Sequence, residues 1–275
     1  MLFDSHAHLN CERYGEAERR AVIAAIERSD VGCVIDVGFD LKSSALAVEH
    51  AARYPWCYAA VGVHPHDAAK MDEDALARLG ELSTKPKVVA IGEIGLDYFR
   101  SLSPQDDQRY WFRKQIRLAM ARKLPIIIHD RDSAGEAAEI LTEEGVFGSE
   151  RRAVFPNNPT TGRANAGVLF HCFSDTADRA LAYIGLGATI SLSGTVTYRK
   201  NKVTPLVAER IPLAHLLIET DAPYLAPEPH RGKDNVSPYV YHTAKRIAEI
   251  RGVGVSEIEE ATCANAKRFF NIPAV

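Results

Sequence analysis

Eight short runs of apolar, mostly β-branched residues alternate along this chain with longer segments that have helical spacing. The runs occupy residues 1–3, 33–37, 58–63, 88–91, 125–128, 167–170, 188–192 and 216–218. Several are almost continuously apolar, as in parallel strands that are buried on both faces. Helical spacing occupies residues 16–29, 43–54, 72–82, 106–123 and 175–183, and residues 237–270 indicate two further helices. The alternation predicts an α/β protein with eight parallel strands.

Two α/β folds share this alternation, the doubly wound open sheet and the (β/α)8 barrel. The residues that follow the predicted strands favour the barrel, because a closed sheet brings the carboxyl ends of all its strands to one rim. Six of the ten histidines follow four of these strands: His6, His8, His64, His66, His129 and His171. The sequence therefore predicts a single domain, residues 1–275, that folds as a TIM-type barrel with its site at the C-terminal strand ends.

The side chains at these strand ends have the chemistry of a metal site. Six of them are candidate ligands: His6, His8, Glu93, His129, His171 and Asp221. His6 and His8 are two residues apart, so on an extended strand their imidazoles share one face. Such a pair alone is more often a surface feature. Carboxylates gathered with histidines on a buried rim, however, need a cation to neutralise them.

Six ligands exceed the three or four that one zinc ion takes from a protein, so we expect two divalent ions roughly 3.5–4 Å apart. The two histidines of strand one and Asp221 are expected to hold one ion, since strands one and eight are neighbours in a barrel. His129 and His171 are expected to hold the other ion, and Glu93 to bridge both. The mixed nitrogen and oxygen donors suit Zn²⁺ or Mn²⁺, and less naturally Mg²⁺.

A pair of divalent ions makes hydrolysis the expected reaction, because it activates water near neutral pH and clamps the oxygens of the substrate. Asp221 can accept the proton of that water, while Glu93 fixes the ions. His64 and His66 either donate hydrogen bonds to the substrate or its leaving group, or orient the ligands. Three further residues are expected either to support the ligands or to stabilise the fold: Asp97, Arg131 and Glu219. Phosphoester, amide and ester substrates all stay open on this argument.

Basic and aromatic residues near the predicted rim favour a phosphorylated substrate. Arg231 and Lys233 follow strand eight, and a basic run at residues 199–202 follows strand seven, where barrels often bind phosphate. A cluster of charged residues is a solvated surface as often as it is a binding site. Among these residues, Arg231 is the candidate for substrate contact. Three aromatic residues either stack an unpaired base or pack against the protein: Tyr98, Phe99 and Tyr224.

Charge and cysteine content limit the compartment and the partners. The formal net charge is -3, so the chain lacks the broad basic field of a non-specific duplex-binding protein. Five scattered cysteines without a C-x-x-C pair argue against a disulfide scaffold and favour a reducing compartment. The N-terminus is too short and polar for a signal peptide, and no run of about 18 apolar residues predicts a membrane span. We expect a cytoplasmic protein with no obligate protein partner.

Longer motifs around the candidate ligands are similar to those of a known family. They are FDSHAHLN (3–10), VGVHPH (61–66), GEIGLDY (92–98), PIIIHDRD (125–132), HCFS (171–174), ISLSGTVTYRKN (190–201), LLIETDAPYLAP (216–227) and ATCANAKRFFNI (261–272). In this order, over almost the whole chain, they resemble the TatD family of metal-dependent deoxyribonucleases within the amidohydrolase-like barrels. The resemblance implies a 3′–5′ exonuclease that hydrolyses phosphodiester bonds of single strands, with metal roles for all six candidate ligands.

Two features depart from the family pattern. His129 and His171 are 42 positions apart, and residues 146–167 between them are rich in Asn, Pro, Gly and Arg, which predicts an inserted loop. The Glu that the family usually places after Asn235 is absent.

Three functions stay in competition on the sequence. The first is a two-metal phosphodiesterase that acts on ends of single-stranded nucleic acid. The second keeps the metals but hydrolyses a small amide or ester. The third is a non-catalytic scaffold barrel that uses residues 146–167 as an interface.

Overall fold

A computed structural model of the protein describes residues 1–273. Its strands are β1 (Leu2–Ala7), β2 (Val31–Val37), β3 (Cys57–Val61), β4 (Val88–Asp97), β5 (Ile126–Arg131), β6 (Val168–Phe170), β7 (Ala188–Leu192) and β8 (Leu216–Ile218). Its α-helices are α1 (Glu16–Glu27), α2 (Leu41–Arg53), α3 (Glu73–Leu82), α4 (Gln105–Arg122), α5 (Glu136–Glu143), α6 (Ser149–Arg152), α7 (Ala177–Leu186), α8 (Thr204–Arg210), α9 (Val240–Arg251) and α10 (Val255–Phe269). Short 3-10 helices cover Pro65–Lys70, Gly194–Thr197, Leu213–His215 and Ser237–Tyr239.

The fold is the predicted (β/α)8 barrel: the strands are parallel, and their order in the sheet is their order in the sequence. Contacts divide the chain into two compact units, which we describe separately. The first unit contains Met1–Asp36, Cys172–Ile184 and the chain from Ile190, and the second contains Val37–His171 and Gly185–Thr189.

In the first unit, strand β1 lies beside β8, the last strand of the barrel. The amide of Asp221 donates to the carbonyl of His6 at 2.9 Å, and the amide of His8 donates to the carbonyl of Ala222 at 2.7 Å. These bonds continue the ladder past the end of β8, where the backbone would otherwise stay unpaired. They place Asp221 next to the two histidines of β1.

In the second unit, β4 is the longest strand, and all but one of its ten residues are buried. It pairs with β5 in a register that sets Gly95 against His129 and Asp97 against Arg131. Gly95 has φ +146°, and a Cβ there would lie 1.9 Å from the carbonyl oxygen of His129. Only glycine therefore permits this close approach of β4 to the strand that carries His129.

Two buried glutamines of α4 fix the strand ends of the second unit. Gln115 accepts from the amide of Val63 at 2.8 Å and donates to its carbonyl at 3.1 Å. Gln108 accepts from the amide of Asp97 at 2.8 Å. The two glutamines are seven residues apart, or about two helical turns, so they lie on one face of α4. A side-chain amide can satisfy both backbone groups of a residue that leaves the sheet, and it holds that residue in place.

Residues 146–167 were expected to form a loop, and the structure gives them more order than that. They include α6, and the guanidinium of Arg151 is buried beneath them. It donates to the carbonyls of Ala166 at 3.1 Å, Ala119 at 3.5 Å and Leu124 at 2.5 Å, and it lies 4.5 Å from the ring centre of Phe155. The segment is therefore tied to the end of α4. That it is an insertion, within one domain of residues 1–275, stays a prediction.

The bounds of the predicted strands match the observed ones for two of the eight strands. β7 and β8 have the predicted bounds, whereas β1 and β4 continue through polar residues that the apolar runs excluded. Helices α5, α6 and α8 were not predicted. Within residues 1–273, no helix is long and apolar enough to cross a membrane.

Candidate functional site

The first unit brings His6, His8 and Asp221 together, and we call these residues the His6 cluster. The Nε2 atoms of His6 and His8 lie 3.2 Å apart. Oδ1 of Asp221 lies 3.3 Å from Nε2 of His8 and 3.8 Å from Nε2 of His6. Both histidines are buried. Three donor atoms therefore converge at the predicted place.

These separations fit a shared cation. Ligand atoms that bind one tetrahedral ion at about 2.0–2.1 Å lie roughly 3.3 Å from each other. The three distances within the His6 cluster are close to this value. A hydrogen bond between the two imidazoles can satisfy only one of the three contacts. The donor set, two nitrogens and one carboxylate oxygen, is also one that Zn²⁺ and Mn²⁺ accept.

A second pair of residues in this unit positions Asp221. The buried carboxylate of Asp4 accepts from the amide of Thr220 at 2.9 Å and from its hydroxyl at 2.6 Å. Asp221 has φ +58°, in the left-handed region, which costs a non-glycine residue on the order of 1 kcal/mol or more. The hydrogen bonds from Thr220 to Asp4 fix the residue that precedes Asp221, and they thereby stabilise this backbone conformation. Burial raises the pKa of Asp4 to about 7, although its hydrogen bonds with Thr220 and Ser237 act to lower it.

The second unit brings together Glu93, His129 and His171, and we call these residues the Glu93 cluster. Oε1 of Glu93 lies 2.7 Å from Nδ1 of His129 and 2.7 Å from Nε2 of His171. Nε2 of His64 is 3.5 Å from the same oxygen. The donor atoms of Glu93, His129 and His64 all lie within 4.8 Å of one another. One carboxylate oxygen is therefore surrounded by three imidazoles.

Electrostatics keep this carboxylate ionised. Burial alone would raise the pKa of Glu93, but His171, His64 and His129 hold it well below its usual value. Burial has the opposite effect on a histidine and would lower the pKa of His129. The hydrogen bonds to Asp97 and Glu93 outweigh it and raise this pKa above its ordinary value. The negative charge of Asp97 and Glu93 favours a proton on His129. The same charge favours a metal cation, which competes with the proton for the ring nitrogen.

Asp97 orients His129 from the side opposite Glu93. Its Oδ2 lies 3.2 Å from Nε2 of His129 and 2.8 Å from Nε2 of His66, and its Oδ1 accepts from the amide of Arg100 at 2.8 Å. A ring whose Nε2–H donates to Asp97 presents the lone pair of Nδ1 toward Glu93. This carboxylate–histidine arrangement is the usual support of a metal ligand. That Asp97 supports a metal ligand stays a prediction.

His64 is placed to donate a hydrogen bond rather than to ligate. Its Nδ1 accepts from the amide of His66 at 3.1 Å, so the neutral ring carries its proton on Nε2. Burial and the neighbouring His129 lower the pKa of His64 to about 4, so the ring is neutral at pH 7. A neutral Nε2–H next to Glu93 is a hydrogen-bond donor and a poor proton source.

The remaining predicted residues belong to neither cluster, and most of them are exposed. The guanidinium of Arg231 is exposed and stacks 4.4 Å from the ring centre of Tyr198. The charged residues at 199, 200, 202 and 233 are exposed as well. Tyr98 packs through its hydroxyl, which donates to Glu136 at 2.7 Å, whereas Phe99 and Tyr224 are exposed. Glu219 is buried and accepts from the hydroxyl of Ser191.

Several residues that hold the clusters in place were not predicted from the sequence. Asp4 and Thr220 were not predicted, although Asp4 is two positions before His6 and so shares its strand face. Gln108 and Gln115 look like ordinary polar residues of α4. The sequence feature that could have identified them is their seven-residue spacing, which places two polar side chains on the inward face of the helix. Apolar residues are usual on that face.

Comparisons with known proteins identify the family of this chain. A family model described as TatD related DNase matches residues 3–271. The metal-dependent hydrolase YabD of Bacillus subtilis (strain 168), described as uncharacterized, is 42% identical over 99% of this chain and 100% of its own length. The 3′-5′ ssDNA/RNA exonuclease TatD of Cronobacter turicensis is 32% identical over 98% of this chain and 97% of its own.

A solved structure gives the same result for the fold. The crystal structure of YJJV, a TatD homologue from Escherichia coli K12, has a TM-score of 0.86 and 28% identity, and the match covers 99% of this chain and 98% of that one. The fold, the predicted family and the match across residues 3–271 agree. The chain belongs to the TatD-related DNase family, and it is a metal-dependent hydrolase.

Proposed function

We propose that this protein is a two-metal phosphodiesterase that removes nucleotides from the 3′ end of single-stranded nucleic acid. The His6 cluster holds one divalent ion and the Glu93 cluster holds the other. The observation that carries the proposal is that each of these clusters places two histidine nitrogens within 4 Å of one carboxylate oxygen. The 32% identical relative of Cronobacter turicensis, named a 3′-5′ ssDNA/RNA exonuclease, supports the substrate class.

Zn²⁺, Mn²⁺ or Mg²⁺ would supply a water of lowered pKa and would neutralise charge on phosphoryl oxygens. The protein's own part in proton transfer falls to Asp221. Its side chain is partly exposed, whereas Asp4 fixes the backbone beside it. An ionised Asp221 accepts a proton from the attacking water, which makes it a general base as well as a ligand. The predicted bridging role of Glu93 stays a prediction.

His64 and His66 bind the phosphate of the substrate. The neutral Nε2–H of His64 donates to a non-bridging phosphoryl oxygen, a role that needs no proton transfer. His66 is held by Asp97, and its side chain is a quarter exposed, so it can reach a bound phosphate. Arg231 contacts the nucleic-acid backbone from the surface. We also place the protein in the cytoplasm, on the sequence argument from its cysteines alone.

Digestion of end-labelled single-stranded DNA tests the proposal. Wild type, Glu93→Gln and the matched control Glu139→Gln, at an exposed position of α5, are supplied with Mn²⁺ or Zn²⁺. We expect shortening of 5′-labelled strands from the 3′ end, a loss on the order of 100-fold or more in Glu93→Gln, and no change in the control. Equal activity in all three proteins would overturn the proposal.

The same experiment separates the competing functions. A panel of chromogenic esters and amides is assayed beside the DNA. Hydrolysis of these small substrates without cleavage of DNA would support the second hypothesis, a small amide or ester hydrolase. Absence of bound metal after purification in metal-supplemented medium, with no hydrolysis of any substrate, would support the scaffold.

A further inference from the structure

Phe99 is the most exposed aromatic side chain among residues 1–273. It lies two residues after the end of β4, and 61% of its surface is accessible. The guanidinium of Arg131, at the end of β5, lies 4.0 Å from the centre of its ring. A large aromatic ring is thus kept in solvent with a cation on one of its faces.

The sheet itself fixes this pair. Asp97 pairs with Arg131 in the β4–β5 register, and the amide of Tyr98 donates to the carbonyl of Arg131 at 2.9 Å. The turn after β4 is closed by the amides of Arg100 and Ser101, which donate to Asp97 at 2.8 and 3.2 Å. Phe99 is therefore presented by a turn with defined hydrogen bonds.

The pair also lies next to the Glu93 cluster. Arg131 is two residues beyond His129 on β5, so the two side chains share a face of the strand, separated by roughly 6.6 Å along it. Phe99 is two residues beyond Asp97, whose carboxylate contacts His129. A substrate phosphate at the Glu93 cluster would leave an adjoining base within reach of the Phe99 ring.

A single exposed apolar residue is ordinary and needs no explanation. Tyr110 illustrates this: it is 51% exposed on α4, with the ammonium of Lys114 at 5.4 Å from its ring centre. The Phe99–Arg131 pair differs in its position, at the carboxyl ends of the two strands that carry Glu93 and His129. Tyr98 beside it does not share this exposure, because its hydroxyl binds Glu136.

We propose that Phe99 and Arg131 form a stacking subsite for one unpaired nucleobase of the substrate. The base stacks on the exposed face of Phe99, while Arg131 holds the opposite face and adds positive charge near the backbone. Every base has a π-face, so the subsite selects single strands over duplex without selecting a sequence. This inference rests on the proposed function and adds to it the part of the substrate that is recognised.

Abasic oligonucleotides test the subsite. One single-stranded oligonucleotide carries bases throughout, and a second has abasic residues in the last three positions at each end. We measure KM, kcat and, in metal-free buffer, equilibrium binding for wild type, Phe99→Ala, Phe99→Trp and the matched control Tyr110→Ala. In Phe99→Ala, KM and the dissociation constant for the normal strand should rise about 5- to 100-fold, with little change for the abasic strand. Phe99→Trp should restore the wild-type values.

Two results would overturn the subsite. One is an unchanged KM and binding constant for the normal strand in Phe99→Ala. The other is an equal loss for both oligonucleotides, which indicates a general disturbance. Failure of the proposed function looks different: wild type then cleaves neither oligonucleotide with any added metal. In that case the binding measurement still decides whether Phe99 recognises a base.

Discussion

Replacing Asp97 by Asn tests how the second unit prepares His129 to bind a metal. The carboxylate accepts from Nε2 of His129 at 3.2 Å and of His66 at 2.8 Å through one oxygen. Asparagine has nearly the same shape but no charge, and it keeps only one acceptor oxygen, because its NH2 group cannot accept a hydrogen bond. Either the bond to the two imidazoles or the bond from the amide of Arg100 must then be lost.

The expected size of the effect follows from these contacts. One charge-assisted hydrogen bond contributes about 1.5–3 kcal/mol, and loss of a carboxylate behind a ligating histidine typically costs 10- to 100-fold in metal affinity. The two ranges agree. In Asp97→Asn, Nδ1 of His129 can also take the proton, which competes directly with the ion. We therefore expect a metal affinity at the Glu93 cluster that is 10- to 100-fold lower.

Chelator-competition titration with Zn²⁺ or Mn²⁺ measures this change. Wild type should give two affinities, and in Asp97→Asn only one of them should fall. The control is Asp106→Asn, an exposed position in the first turn of α4, which should leave both affinities unchanged. Unaltered binding in Asp97→Asn would refute the reasoning. An equal fall of both affinities, with a lower melting temperature, would attribute the effect to folding instead.

Two further predictions concern stability. The pKa of Asp4 is raised to about 7 from its ordinary 3.8, so the folded state binds this proton more tightly than the unfolded chain. The free energy of unfolding should therefore fall as the pH rises from about 4 to about 7, and the difference between wild type and Asp4→Asn in urea unfolding should show this slope; parallel curves would contradict it. Arg151→Met leaves the carbonyls of Ala166, Ala119 and Leu124 without their buried donor. The free energy of unfolding, measured in urea, should therefore fall by about 3 kcal/mol, and the metal content should stay unchanged. A loss below about 1 kcal/mol would show that Arg151 does not anchor the segment.

The fold and the two clusters follow from the sequence because they depend on local patterns. Apolar runs identify the strands, and in parallel sheets the carboxyl ends of the strands meet on one side. Histidines and carboxylates directly after those runs therefore had to converge. The His6 cluster illustrates the point, since His6 and His8 needed only the two-residue period of a strand and the neighbouring β8.

Other contacts could not be predicted, because they depend on the tertiary structure. Asp4 and Thr220 are 216 positions apart, and nothing local marks them as partners. Arg151 lies in a segment whose composition indicates a loop, and a buried guanidinium that binds only carbonyl oxygens has no sequence signature. The same limit applies to His64: its motif predicted a role in the site, but only the amide of His66 determines which nitrogen carries the proton.

The metal content of cluster variants tests the central claim most directly. Wild type, His8→Ala, His171→Ala and the double variant are equilibrated with Zn²⁺ or Mn²⁺, stripped of loosely held metal and analysed by mass spectrometry. The account predicts two ions per chain in wild type, one in each single variant and none in the double variant. A count that neither single substitution changes, or a wild type that holds no ion, would contradict it.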